Sequence, residues 1–116
     1  MVKRSVGGYI PDRGDIVWID FSPHVGREQA ERRPAIVLSP AKYNKQSELI
    51  LVCPITSKRK GYPFEVEIAA GKIQGMALSD QIRSFDWKMR QGVFAERLDY
   101  ETLHKIQKRA VALLIA

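Results

Sequence analysis

Apolar residues in this chain fall mostly into short runs closed off by turn residues, the arrangement of a β-rich protein. Residues 16–21, Ile-Val-Trp-Ile-Asp-Phe, are dominated by β-branched and aromatic side chains. They sit between Gly14-Asp15 and Ser22-Pro23, which predicts a first strand. Residues 35–38 and 49–52 are continuous apolar runs that stop at Pro40 and Pro54, the mark of buried strands two and three. Residues 64–68 alternate instead, so Phe64, Val66 and Ile68 are expected to pack inward while Glu65 and Glu67 face solvent. Further strands are expected around residues 75–82 and 92–95, with a short helical turn at residues 85–88 between them.

One helix is clear. Asp99 is placed to cap it, Glu101 falls in its first turn, and Leu103, Ile106, Ala110, Leu113 and Leu114 recur at helical spacing. Lys105, Lys108 and Arg109 take the opposite face. Short strands followed by this helix predict a mostly β fold, an SH3-like small barrel with the C-terminal amphipathic α-helix packed on it. At 116 residues, the chain is expected to form a single domain over 1–116.

Charge narrows the choice of partner. Nineteen Lys and Arg against thirteen Asp and Glu leave a net charge of +6 and a pI near 9.7, which favours anionic partners such as nucleic acid; a well-solvated surface accounts for it equally. The longest apolar run, residues 110–116, is far shorter than the roughly 20 residues of a membrane span. The basic start is followed by Ser5-Val6-Gly7-Gly8 rather than by an apolar stretch, so neither a signal peptide nor a membrane role is expected, and a cytoplasmic location follows. Cys53 is the only cysteine, which rules out an intrachain disulfide or a zinc ribbon, and its apolar neighbours predict a small buried hydrophobe.

Residues 22–32 form a polar connection between the first two strands, long enough to carry binding residues. Arg33 stands at its exit, and Pro34 forces extended geometry on it, so Arg32 and Arg33 point to opposite faces. A guanidinium held this way suits a phosphate and the charge that grows on it during phosphoryl transfer. A surface arginine paired with Glu28 or Glu31 fits the spacing as well. After the third strand, Thr56-Ser57-Lys58-Arg59-Lys60 offers two hydroxyls and three cations to a phosphodiester backbone, or forms an ordinary solvated loop. Tyr62 suits stacking on a base as well as packing, while its alternation favours the core for Phe64.

The sequence has no metal-ligand cluster, P-loop or G-x-S-x-G motif, and His24 and His104 are its only histidines. With no metal or cofactor expected, a nuclease of this composition uses an internal nucleophile, the ribose 2′-hydroxyl, which favours RNA over DNA. Such an attack leaves 2′,3′-cyclic phosphate and 5′-hydroxyl ends.

Taken in order, Pro11-Asp12-Arg13-Gly14-Asp15-Ile16-Val17-Trp18-Ile19-Asp20-Phe21, Glu28-Gln29-Ala30, Arg33-Pro34-Ala35-Ile36-Val37-Leu38-Ser39-Pro40, Tyr43-Asn44, Pro54-Ile55-Thr56, Lys60-Gly61-Tyr62-Pro63-Phe64-Glu65 and Ala77-Leu78-Ser79-Asp80-Gln81 closely resemble the MazF/PemK toxins. The likeness runs from Pro11 to about Trp87 and rests beyond that on the terminal helix. It implies an SH3-like barrel and a metal-independent, sequence-specific endoribonuclease. It further implies that this enzyme cleaves single-stranded mRNA, works as a homodimer and is neutralised by a small acidic antitoxin.

By position, Arg33 matches the family's catalytic arginine and Thr56 its catalytic threonine, while Glu28 and Gln29 fall in the loop that closes over RNA. The resemblance implies that Arg33 stabilises the pentacovalent phosphate and takes part in proton transfer, and that Thr56 donates a hydrogen bond to a non-bridging oxygen. A guanidinium with a pKa above about 12 is a poor base, so Glu28 is expected to orient Arg33 or share the proton transfer. Ser57, Lys60, Gln81 and Arg83 are candidates for RNA backbone and base contacts, with ordinary surface hydrogen bonding an equal account of each taken singly. Trp18 and Trp87 are expected in the core or a dimer interface rather than as stacking platforms.

Glu31-Arg32 departs from the family's usual small residue followed by His or Arg, which makes the loop more charged and bears on which RNA is recognised. Two other functions share these features: a gyrase-binding toxin of the same fold, and a non-catalytic RNA-binding module. The first ends in an exposed tryptophan-containing tail, whereas this chain ends Leu113-Leu114-Ile115-Ala116; the second has no need of both Arg33 and Thr56.

Overall fold

The computed structural model describes residues 8–22 and 32–115. Among them run β1 (Asp15–Asp20), β2 (Arg32–Val37), α1 (Ala41–Ser47), β3 (Leu49–Thr56), β4 (Glu65–Ala70), β5 (Ile73–Leu78), β6 (Arg83–Asp86), β7 (Val93–Arg97) and α2 (Tyr100–Ile115). The strands pair antiparallel in the order β4-β5-β3-β2-β1-β7, with β6 also on β3, in a curled half-barrel whose terminal helix α2 packs against β4. The expected SH3-like architecture is borne out in this form.

The uninterrupted apolar runs arise because the sheet is buried on both faces. Ile16, Ile36 and Cys53 belong to one core, which Leu103 and Ile106 of α2 complete. Their neighbours Val17, Ala35, Val37 and Val52 belong to a second core, covered by Tyr9, Phe85 and Trp87. Successive side chains of a strand point to opposite faces, so a strand between two cores has no polar face to reveal it.

β3 is the strand that the sheet shares. One edge meets β2; the other meets β6 from Leu49 to Val52 and then β5 at Ile55 and Thr56. Pro54 falls between these two partners, where a residue without an N–H interrupts no ladder on that edge. β3 therefore passes through Pro54 to Thr56 rather than stopping short of it, a correction to the expected boundary.

Other expectations also change. Phe85 and Asp86 belong to β6, and the turn begins only at Trp87. β5 spans Ile73–Leu78 instead of residues 75–82. α1 has no counterpart among the expected elements, because its one buried residue is polar. That residue, Asn44, donates to the carbonyls of Pro11 and Ser39 and accepts from the Ser39 hydroxyl, while its own carbonyl accepts from the Trp87 indole at 3.0 Å. A hydrogen-bonded hub of this kind leaves no period in the hydrophobic pattern.

α2 begins as expected: Asp99 accepts from the Thr102 N–H at 2.9 Å and from its hydroxyl at 3.0 Å. Leu103, Ile106 and Ala110 are buried, but Leu113 and Leu114 are exposed. The two Thr102 bonds hold the Asp99 carboxyl below its ordinary range. A carboxyl with a depressed folded value stabilises the fold above its unfolded pKa, near 4, and loses that contribution as the pH falls through the folded value. Asp99→Ala is expected to cost about 1 kcal/mol at neutral pH. The deficit, measured by urea unfolding at stepped pH, should close on acidification.

Candidate active site

The β2–β3 ladder pairs Ala35 with Pro54, Ile36 with Cys53 and Val37 with Val52. The ladder ends at Ala35, but the same register continued by two residues points Arg33 toward Thr56. Ala35 and Val37 face the Phe85–Trp87 core, as Val52 does on β3, so alternation directs Arg33 and Thr56 to that same face. Strand pairing thus brings together two residues separated by more than twenty positions. Both border a cleft of about 510 Å³, shared with Trp18, Arg32, Pro34, Ser57, Lys58 and Lys72.

The Arg33 side chain is exposed, and its Cζ stands 6.0 Å from the centroid of the Phe21 ring. Arg83 approaches the same ring at 5.8 Å and the Phe85 ring at 4.8 Å. Phe21 and Phe85 meet edge to face, and Arg90 covers Phe85 at 4.6 Å. Aromatic faces of this kind hold guanidinium planes by cation–π attraction and restrict where they point. The result is a cationic surface without a compensating carboxylate in contact with Arg33 or Arg83 among the described residues.

Arg32, expected on the opposite face, lines the same cleft but is tied to backbone. Its Nη2 donates to the carbonyls of Trp18 and Gln91, at 3.2 and 3.0 Å, and ties the start of β2 to β1 and to the turn before β7. The exit of β1 is equally fixed. Asp20 accepts from both the hydroxyl and the N–H of Ser22, the hydroxyl being the main reason its carboxyl sits below the ordinary value, and Arg90 donates to the carbonyls of Asp20 and Ser22. Glu28, Gln29 and Glu31 lie outside the described residues, as does the expected pairing of Arg33 with either glutamate.

Past β3, the Thr56 hydroxyl accepts from the Lys58 N–H at 3.2 Å. Lys60 and Gly61 direct their N–H groups to the two oxygens of Glu65, at 2.7 and 2.9 Å. Glu65 is therefore buried, not solvent-facing as its alternation predicts; only Glu67 behaves that way, paired with Arg59 at 3.2 Å. Phe64 is half-buried rather than in a core. Gln81 is exposed and, like Lys60, lies outside the cleft lining, while Tyr62 donates to Asp80 at 3.0 Å. Burial and the Asp80 carboxylate both push the Tyr62 hydroxyl up.

Two further residues of the cleft, and a glycine beside it, escaped the sequence. Trp18 is 39% exposed on its rim, not in a core, whereas Trp87 is buried as expected. Lys72 reaches the cleft from the tight Gly71-Lys72 turn between β4 and β5, whose glycine at φ +57° is the signal that identifies a hairpin. Gly75 lets β5 approach β3, since a Cβ there would stand 2.4 Å from the Thr56 carbonyl oxygen. Cys53 is buried and its thiol is pushed up to about 12, which removes it as a nucleophile. Among the described residues, no three His, Cys, Asp or Glu side chains are grouped as metal ligands, and no helix is long and apolar enough to cross a membrane.

The family described as the PemK-like, MazF-like toxin of type II toxin–antitoxin systems matches residues 12–114. The chain belongs to this family. It is 41% identical to the endoribonuclease toxin MazF of Escherichia coli K12 over 109 residues, 94% of this chain and 98% of that one. It is 34% identical to the endoribonuclease toxin ChpB of the same strain, over 92% of this chain and 97% of that one. The crystal structure of MazF from Deinococcus radiodurans superposes with a TM-score of 0.83 at 43% identity, covering 91% of this chain and 97% of that one. In a crystal of the Deinococcus MazE–MazF complex the corresponding values are 0.81, 39%, 91% and 96%. The chain is accordingly a MazF-like endoribonuclease toxin of a toxin–antitoxin system.

Gly75→Ala is expected to force β5 away from Thr56. The change should cost roughly 1–3 kcal/mol in unfolding free energy, the range for overpacking, and lower RNA cleavage measured well below the variant's melting temperature.

Proposed function

We propose that the toxin cleaves single-stranded mRNA at specific sequences by a metal-independent route, with Arg33 and Thr56 as its catalytic residues. The observation that carries this reading is the cleft that Arg33 and Thr56 both line, with Arg33 and Arg83 gathered over Phe21 beside it. The ribose 2′-hydroxyl next to the scissile bond attacks phosphorus. Its proton leaves to a base, for which Glu28 is the candidate, the 5′-oxygen departs and is protonated, and a 2′,3′-cyclic phosphate remains. Arg33 neutralises the charge that builds on the pentacovalent phosphate. Thr56, whose hydroxyl oxygen already accepts from Lys58, has its O–H directed to a non-bridging oxygen. Ser57, Lys60, Arg83, Gln81 and Gln29 are assigned to RNA contacts; the two guanidiniums on Phe21 favour Arg83 most among these.

The same reading includes a small acidic antitoxin as partner, supported by the +6 charge and by the MazE–MazF complexes of Deinococcus. It includes a homodimer, for which Leu51, Ile82, Val111, Leu114 and Ile115 supply an apolar groove of about 650 Å³ between α2 and the sheet. It also places the toxin in the cytoplasm, where mRNA is found.

The test is incubation of the purified protein with a long single-stranded RNA in EDTA, followed by mapping of the ends. Discrete cuts with cyclic phosphate and 5′-hydroxyl termini are expected. Arg33→Ala and Thr56→Ala should each lower the rate by about 10²–10³-fold, and uncut RNA or undiminished cutting by both variants would sink the assignment.

A further inference from the structure

Glu65 is the one carboxylate beside the site that contradicts its own sequence pattern, and the reason is where its oxygens go. Oε2 accepts from Lys60 N–H at 2.7 Å and Oε1 from Gly61 N–H at 2.9 Å, while the Glu65 N–H returns a bond to the Tyr62 carbonyl at 3.2 Å. Both oxygens are engaged by backbone, and no lysine or arginine is paired with this carboxylate among the described residues. Gly61 holds φ +82°, the left-handed geometry that lets the turn fold back onto β4.

At its other end the same segment is pinned by the Lys58 N–H on the Thr56 hydroxyl. Ser57 and Lys58 line the cleft between these two ties. The turn that carries the site's hydroxyl and cations is therefore held by one strand residue at each end, Thr56 on β3 and Glu65 on β4. A solvated loop has no such constraint and spreads its cations over many positions.

We propose that Glu65 is a positioning residue for RNA binding: without touching the substrate, its carboxylate sets the Ser57–Lys60 turn so that its cations meet the RNA backbone. This rests on the assignment of the Arg33–Thr56 face as the active site. A structural carboxylate acting on the fold alone would alter stability; one that places cations alters how the enzyme grips a polyanion.

The experiment compares the full-length wild type, Glu65→Gln and Glu65→Ala on one defined single-stranded RNA that the wild type cuts. It measures kcat, KM and the dependence of RNA affinity on salt. Glu65→Ala is expected to raise KM roughly tenfold, the scale of removing one hydrogen bond to a charged group, with kcat nearly retained. The slope of log affinity against log salt should become shallower by about 0.7 for each phosphate that the displaced cations cease to neutralise. Glu65→Gln, which keeps one acceptor oxygen, should fall between the two and carries the test if the alanine variant does not fold. Amide exchange at Lys60 and Gly61 should quicken in both.

Wild-type KM and salt slope in a folded variant, even with a lowered melting temperature, would overturn the proposal while leaving the active site standing. A loss confined to kcat would overturn it as well. Undiminished cleavage by Arg33→Ala and Thr56→Ala on the same RNA would instead remove the site assignment, and the proposal with it.

Discussion

The pairing of β2 with β3 is the constraint on which the site depends. Ala35, Ile36 and Val37 are completely buried between two cores, and their partners on β3 are equally enclosed. A one-residue slip would carry Arg33 into the position now held by Pro34 or Arg32 and exchange the faces of every side chain on the strand. The apolar segment thus holds its polar neighbour in place: the register that satisfies the core is the one that brings Arg33 and Thr56 to a common cleft.

Polar groups inside the protein complete what the cores begin. Asp15 is wholly buried and accepts from the Tyr9 hydroxyl at 2.6 Å, the Asp12 N–H at 3.0 Å and Arg97 at 2.9 Å, joining the lead segment to β1 and β7. Asn44 does the same for α1, Ser39 and Trp87, and Glu65 for the turn after β3. No buried side-chain nitrogen or oxygen among the described residues lacks a partner. Each hub joins segments distant in the chain, and removing one exposes several unsatisfied groups at once, which costs more than a single surface hydrogen bond.

The division between what could and could not be read from the sequence follows the same physics. Apolar runs, the Asp99 cap and the ordered motif around Arg33 and Thr56 are local, so the strands, the terminal helix and the family were legible. Pro54 misled because proline signals a strand end unless the neighbouring strand happens to change there, which only the pairing reveals. α1 and Glu65 misled because their burial is polar and long-range or turn-specific. Lys72 and Trp18 came into the site through curvature of the sheet, which brings the β4–β5 hairpin beside β1 and β2 without any signal in either segment.

β3 changes partner midway, and the two halves are not held alike. Its first half shares four residue pairs with β6, whereas the half that carries Thr56 shares only two with β5. The β4–β5 hairpin is joined to the rest chiefly by apolar packing, with Val66, Ile68, Ile73 and Ala77 against the core that α2 closes. The side of the cleft that carries Thr56 therefore leans on the core that α2 closes rather than on an extended ladder, so a change in that core reaches the cleft through the hairpin.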